Sequence, residues 1–189
     1  MARLPGIARA EAPEDVARVY DAATAHYGKL LDPLVVTAHN PDVFRAYVGF
    51  ETAMAQAHAL EPRLKALAEL KAAALIGCPF CVDLGSREAR ASGLSDAELK
   101  ALATYRESDL FSALDKAVLD YTTAMTRTPV VVSDALFAAL HEHLTPAAMV
   151  ELTSMVALEN YRSRFNHALG IGAQGFSEGS YCVRPEAAA

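Results

Sequence analysis

Two thiols three positions apart, Cys78 and Cys81 in Gly77-Cys78-Pro79-Phe80-Cys81, are the side chains of this chain best suited to chemistry. One helical turn brings their sulfurs within disulfide reach, so the pair can cycle between dithiol and disulfide with little backbone motion. Gly77 suits the left-handed residue that ends one helix, and Pro79 suits the first turn of the next, which makes Cys78 the expected N-cap. Unpaired backbone N–H groups and the positive end of the helix dipole there favour a thiolate and lower its pKa. The competing uses are a zinc half-site, which needs two further ligands, and a pair of inert buried thiols. His141 and His143 point to different faces of a helix, and no second cysteine pair exists to complete a zinc set. Dithiol chemistry is therefore the favoured reading. Cys182 stands alone near the C-terminus and reads as a bystander before it reads as a third redox partner.

Helices must position these thiols. The chain has 189 residues, 52% of them hydrophobic, and its Ala-, Leu- and Glu-rich runs carry 3.6-residue periodicity almost throughout. The spacing predicts helices over about 13–27, 41–58, 63–76, 79–91, a short one to 104, then 111–126, 133–143 and 145–169. Punctuation falls at Gly28, Asn40-Pro41, Glu61-Pro62, Gly77, Thr128-Pro129, Thr145-Pro146 and Gly170. Ser95 and Glu98 form a capping box. Residues 30–39 are ambiguous between a strand-like segment, a loop and a broken helix, because Pro33 stands beside a Val35-Val36 pair. The expected fold is all-α: an irregular arm over 1–12, one helical domain over 13–170 with the CxxC at the N-terminus of a central helix, and an irregular tail over 171–189.

Polar residues recur on apolar helices. Tyr47, Glu51 and His58 share a face, and so do Asn160, Arg164 and His167 late in the last helix. A core-facing polar stripe needs partners, so the second set either forms a structural network or lines a pocket. Glu88 lies on the face of Cys81 and reads as a solvated charge, whereas Asp83 reads as complementing the helix dipole.

The runs Leu60-Glu61-Pro62-Arg63-Leu64-Lys65 and Leu70-Lys71-Ala72-Ala73-Ala74-Leu75-Ile76-Gly77-Cys78-Pro79-Phe80-Cys81-Val82-Asp83-Leu84-Gly85 resemble the signature of the carboxymuconolactone decarboxylase superfamily, in its AhpD-like alkylhydroperoxidase branch. The resemblance implies an oligomerising all-α domain and a cysteine-based peroxidase or dithiol reductase. It also implies that Cys81 attacks peroxide and Cys78 resolves the sulfenic acid as a disulfide, whereas helix capping favours Cys78 as the more acidic thiol; the order stays open. Two positions depart from the pattern. Gly85 stands where the branch has a histidine, and Ala66 stands where it has a glutamate twelve residues before the first cysteine. Glu69, one turn nearer the thiols on the same helix face, is the substitute base, its alternative being an i,i+4 partner of Lys65. His167 is the candidate for the missing imidazole, and the run Arg164-Phe165-Asn166-His167-Ala168-Leu169-Gly170 resembles the closing segment of relatives that lack the downstream histidine.

A net charge of −6, with no Lys/Arg cluster, argues against nucleic acid and anionic membranes as partners. The N-terminus lacks the apolar core of a secretory signal, which points to the cytoplasm. So apolar a chain is expected to self-associate as a homo-oligomer. The expected activity is reduction of hydroperoxides through Cys78 and Cys81, with no metal or organic cofactor and a thiol protein as electron donor. The alternatives are a cofactor-free lactone decarboxylase-like enzyme using Glu69, His167 and Arg164, and a non-catalytic, redox-sensing helical oligomer.

Overall fold

The computed structural model describes residues 2–184 and 186, and helices are the only regular structure among them. The structure has two compact units, residues 1–56 with 169–171 and residues 57–168 with 172–189.

The first unit holds α1 (Glu14–Tyr27), α2 (Asp32–Thr37) and α3 (Pro41–Gln56). Gly28 ends α1 at φ 79°, a left-handed conformation that a side chain would resist. The ambiguous 30–39 stretch is helical: Pro33 sits in the first turn of α2, where a missing N–H costs nothing, and Thr37 Oγ1 donates to Pro33 O at 2.6 Å. Tyr20 and Phe44 meet edge to face at 6.1 Å in the core of this unit, with Val16, Leu34 and Val36 also buried. The 1–12 arm is tied down. Ile7 N donates to Val35 O at 2.9 Å, His39 Nε2 donates to Pro5 O at 2.7 Å, and a Cβ on Gly6 would stand 2.4 Å from Val35 Cγ2.

The second unit is built on α4 (Pro62–Ile76), which packs against α5 (Pro79–Ala91), α7 (Ala113–Thr126) and α9 (Pro146–Ala168). Three neighbours fit around one helix because Ala66, Ala68, Ala72, Ala73 and Ala74 are all buried and small, with Leu64, Leu67 and Leu70 filling the gaps. The short α6 (Asp96–Ala101) begins at the expected Ser95–Glu98 capping box, and α8 (Asp134–His141) begins at Ser133, whose hydroxyl accepts from Leu136 N. Arg63 binds Glu98 at 2.6 Å and Asp115 at 3.1 Å, tying α4 to α6 and α7. No helix among the described residues is long and apolar enough to cross a membrane.

Candidate active site

The site begins where α4 stops. Gly77 takes φ 79° and its N–H donates to Ala73 O at 2.9 Å, so the chain leaves the helix and turns into α5 within one residue. Cys78 is the N-cap: its Sγ accepts the N–H of Cys81 at 3.2 Å, and Pro79 holds the first helical position. Cys78 and Cys81 are joined as a disulfide, with Cα atoms 5.3 Å apart. The pair is buried unequally, Cys78 at 0% exposure and Cys81 at 7%.

From α9, Asn166 stands over both sulfurs. Its Nδ2 donates to Cys81 Sγ at 3.4 Å and to Cys78 Sγ at 3.8 Å. The residue is 2% exposed, and its Oδ1 has no hydrogen-bond partner among the described residues.

Behind Asn166 the same face of α9 carries Ser163, Arg162 and Glu159. Arg162 donates to Glu69 of α4 at 2.5 Å and to Glu159 at 3.1 Å, and Ser163 Oγ donates to Glu159 at 2.6 Å. Glu69 is therefore an ion-pair partner across the α4–α9 packing, while Lys65 binds Ala57 O and Glu151. Burial pushes the Glu159 carboxyl up to about 7, with the Arg162 charge pulling it down and the Glu69 charge pushing it up. A fully buried carboxyl that titrates near neutral pH can store or release a proton.

Glu159 also predicts a pH dependence of stability. Its folded pKa lies above the ordinary glutamate value of 4.5, so the native state holds the proton longer than the unfolded chain. Stability from this group is present in full below 4.5 and is lost as pH rises to about 7, to the extent of about 3 kcal/mol. Glu159→Gln, which cannot ionise, should flatten that fall. Urea midpoints at pH 5 and pH 8 read it; an equal fall in the variant and the parent would exclude Glu159 as its source.

His167 takes a different place from the one expected. It is exposed, and the position facing the thiols belongs to Asn166, one residue earlier and about 100° round the helix. Asn160 and Arg164 face the end of α7: Asn160 Nδ2 donates to Thr126 Oγ1 at 3.0 Å, and Arg164 donates to Thr126 O at 3.2 Å. Polar residues fill most positions from 159 to 167, so helical spacing accommodates either stripe equally well. The inward set, Glu159, Ser163 and Asn166 at i, i+4 and i+7, matches the expected set shifted by one. That shift was the available signal for Glu159 and Asn166.

Gly85 lies against α4. A Cβ there would meet Leu70 Cδ1 at 3.2 Å, so an imidazole at the family position requires Leu70 to give way. Asp83, beyond the first turn of α5, is a buried anchor for the tail. Its carboxylate accepts from Gln174 N at 2.9 Å, Phe176 N at 3.0 Å and Ser177 N at 2.8 Å, and Ser177 Oγ donates to its carbonyl at 2.7 Å. The tail, expected as an irregular arm, has no helix among its described residues but is packed. It sets Phe176 edge to face on Phe80, one of the two residues between the cysteines, at 6.1 Å, with Arg87 over the Phe176 ring. Cys182 accepts weakly from Ser86 Oγ at 3.9 Å, and burial pushes its thiol up, against a thiolate role. Glu88 is half-buried and lies 3.8 Å from Arg87.

A surface concavity of about 520 Å³, lined by Arg106, Asp120, Thr123, Arg127 and Pro129 among others, includes neither thiol. Arg106 pairs with Asp120 on its wall. Among the described residues no group of three or more His, Cys, Asp and Glu side chains is arranged to hold a metal ion.

Comparison with known proteins places this geometry. Residues 41–124 match the model of the carboxymuconolactone decarboxylase family. The uncharacterized protein YnjA of Escherichia coli (strain K12) is 36% identical over 152 residues, covering 79% of this chain and 83% of YnjA. The AhpD-core peroxidase-related protein of Ralstonia eutropha JMP134 superposes with a TM-score of 0.84 at 22% identity, covering 96% of this chain and 97% of that one. The debrominase Bmp8, crystallised as a cysteine-to-alanine variant in complex with 2,3,4-tribromopyrrole, superposes at 0.78 with 19% identity, covering 90% of this chain and 91% of that one. On the family match, the 36% identity to YnjA and the superposition, this chain belongs to the carboxymuconolactone decarboxylase family and has the AhpD-like fold.

Proposed function

We propose that this protein is a dithiol oxidoreductase that reduces hydroperoxides through Cys78 and Cys81. The observation that carries the reading is the disulfide at the start of α5, bonded by a backbone N–H at Cys78 and by a side-chain amide on both sulfurs. Cys81, the less buried of the two residues, attacks the terminal peroxide oxygen as a thiolate. The O–O bond breaks, the alcohol leaves with one proton, and Cys81 becomes a sulfenic acid. Cys78 then attacks that sulfur and water leaves, restoring the disulfide. A dithiol donor protein returns two electrons and two protons by thiol–disulfide exchange. Glu159, about two helical turns before Asn166 on the same face of α9, is the proposed store for the protons this cycle moves.

The test is a single turnover. The reduced protein should consume about one hydroperoxide per dithiol and regain the disulfide, since two electrons reduce one peroxide. Persistence of both peroxide and thiols would reject the reading. Because a debrominase shares the fold, 2,3,4-tribromopyrrole belongs in the same assay, and bromide release in place of peroxide loss would keep the dithiol and change the substrate.

A second reading is supported by the Glu159–Arg162–Glu69 cluster, in which Arg162 bridges the buried Glu159 and the partly exposed Glu69: a cofactor-free acid/base enzyme acting on a carboxylated ring. Lactone turnover that survives alkylation of both thiols would favour it. Self-association is part of either proposal, with Val130, Val131 and Val150 each more than 60% exposed.

A further inference from the structure

The amide of Asn166 is half used. Nδ2 reaches both sulfurs, while Oδ1, on the same buried side chain, is unpartnered among the described residues. An unsatisfied buried carbonyl carries a desolvation cost, so its persistence calls for an explanation. A disulfide has no hydrogen to donate. A dithiol has two S–H groups, and a thiolate is a stronger acceptor for Nδ2 than a disulfide sulfur.

We infer that Asn166 is the catalytic residue that stabilises the reduced state: Nδ2 donates to the Cys81 thiolate, and Oδ1 accepts the S–H proton of Cys78. The inference rests on the proposed dithiol chemistry and deepens it. On reduction, two electrons and two protons from a dithiol donor break the Cys78–Cys81 bond. One proton stays on Cys78 as the S–H that satisfies Oδ1, and the other leaves as the Cys81 thiolate forms. The amide thus stands at the thiols in place of the imidazole that Gly85 replaces. Unlike an imidazole, it orients and stabilises without itself being titrated. It also complements the helix start. The N-cap bond serves Cys78, and Asn166 serves the sulfur one turn on that the helix N-terminus does not cap. The reduction potential is accordingly raised, because both contacts are stronger in the dithiol state than in the disulfide state.

The test uses the full chain carrying Cys182→Ser, so that only the pair is read. Asn166→Leu, similar in volume and free of polar atoms, should lower the dithiol/disulfide equilibrium constant about tenfold, which is about 30 mV more reducing for a two-electron couple. It should also slow alkylation of the reduced protein at pH 7 by about tenfold. Should Asn166→Leu fail to fold, the Cys182→Ser parent carries the test alone. Its reduced form should show an infrared S–H band displaced to low frequency by a carbonyl acceptor, and carbonyl-labelled asparagine should show a matching shift on reduction. A folded Asn166→Leu variant with parental potential and alkylation rate would overturn the inference, and so would S–H and asparagine bands indifferent to the redox state. These readouts need no peroxide. A parent that ignores hydroperoxides but shows them would sink the peroxidase reading and leave Asn166 in place.

Discussion

Cys81→Ser is expected to abolish hydroperoxide turnover, with a loss on the order of a thousandfold or more against the parent. A serine hydroxyl at neutral pH is neither an appreciable nucleophile nor a leaving group from a two-electron couple. Cys78→Ser should behave differently. It keeps Cys81, the proposed attacking thiol, so the first equivalent of peroxide should still be consumed, leaving a sulfenic acid with no thiol to condense with. Multiple turnover is lost in both variants, whereas a single burst survives only in Cys78→Ser. Trapping with a dimedone reagent and mass spectrometry should find the adduct on Cys81 in that variant and none in Cys81→Ser. The reverse pattern would assign the attack to Cys78, the sulfur that the helix start supports. Parental turnover in both variants would reject the dithiol mechanism altogether.

Asp83→Ala should cause a large loss of stability. The carboxylate accepts three backbone N–H groups from 174–177, and alanine leaves all three without that partner. With about 1 kcal/mol or more for each, the expected cost is about 3–5 kcal/mol. The loss should be local before it is global. Residues 172–183 are held by Asp83, by Ser86 Oγ accepting from Val183 N at 3.0 Å, and by Arg90 donating to Tyr181 O. Limited proteolysis should cut the variant within 174–180 at protease levels that leave the parent intact. With Phe176 withdrawn from Phe80, the reduced Cys81 should also be alkylated faster. A variant with the parent's urea midpoint and cleavage pattern would show that the tail is held elsewhere.

The contrast between Asp83 and Cys78 shows what local sequence carries. Gly77, Cys78 and Pro79 encode a helix stop, a cap and a helix start through backbone preferences within three residues. The α4 and α5 limits and the N-cap thiol were therefore legible without any tertiary information. The Ser95–Glu98 capping box was legible for the same reason. The family runs around the CxxC were equally readable, because they are contiguous. Asp83 looks like an ordinary charge near a helix start until the tail, more than ninety positions later, folds back to donate to it.

Rotation about a helix axis was the other quantity the chain alone left open. Along α9 polar residues occupy most positions from Glu159 to His167, and two stripes one residue apart satisfy helical spacing equally well. Packing against α4 and α5 decides between them, turning Glu159, Arg162 and Asn166 inward and leaving His167 exposed. Glu69 shows the same division: its helix face followed from spacing, but its partner, Arg162, lies 93 positions away. Propensity, capping and turn chemistry act over a few residues, so the all-helical class, the helix junction and the pair of thiols are written locally in the chain. What surrounds the sulfurs comes from long-range packing: the Asn166 amide, a buried carboxyl near neutrality behind it, and a tail strapped to Asp83. Each of these is set by which faces meet when α9 and the C-terminal segment close on α4 and α5.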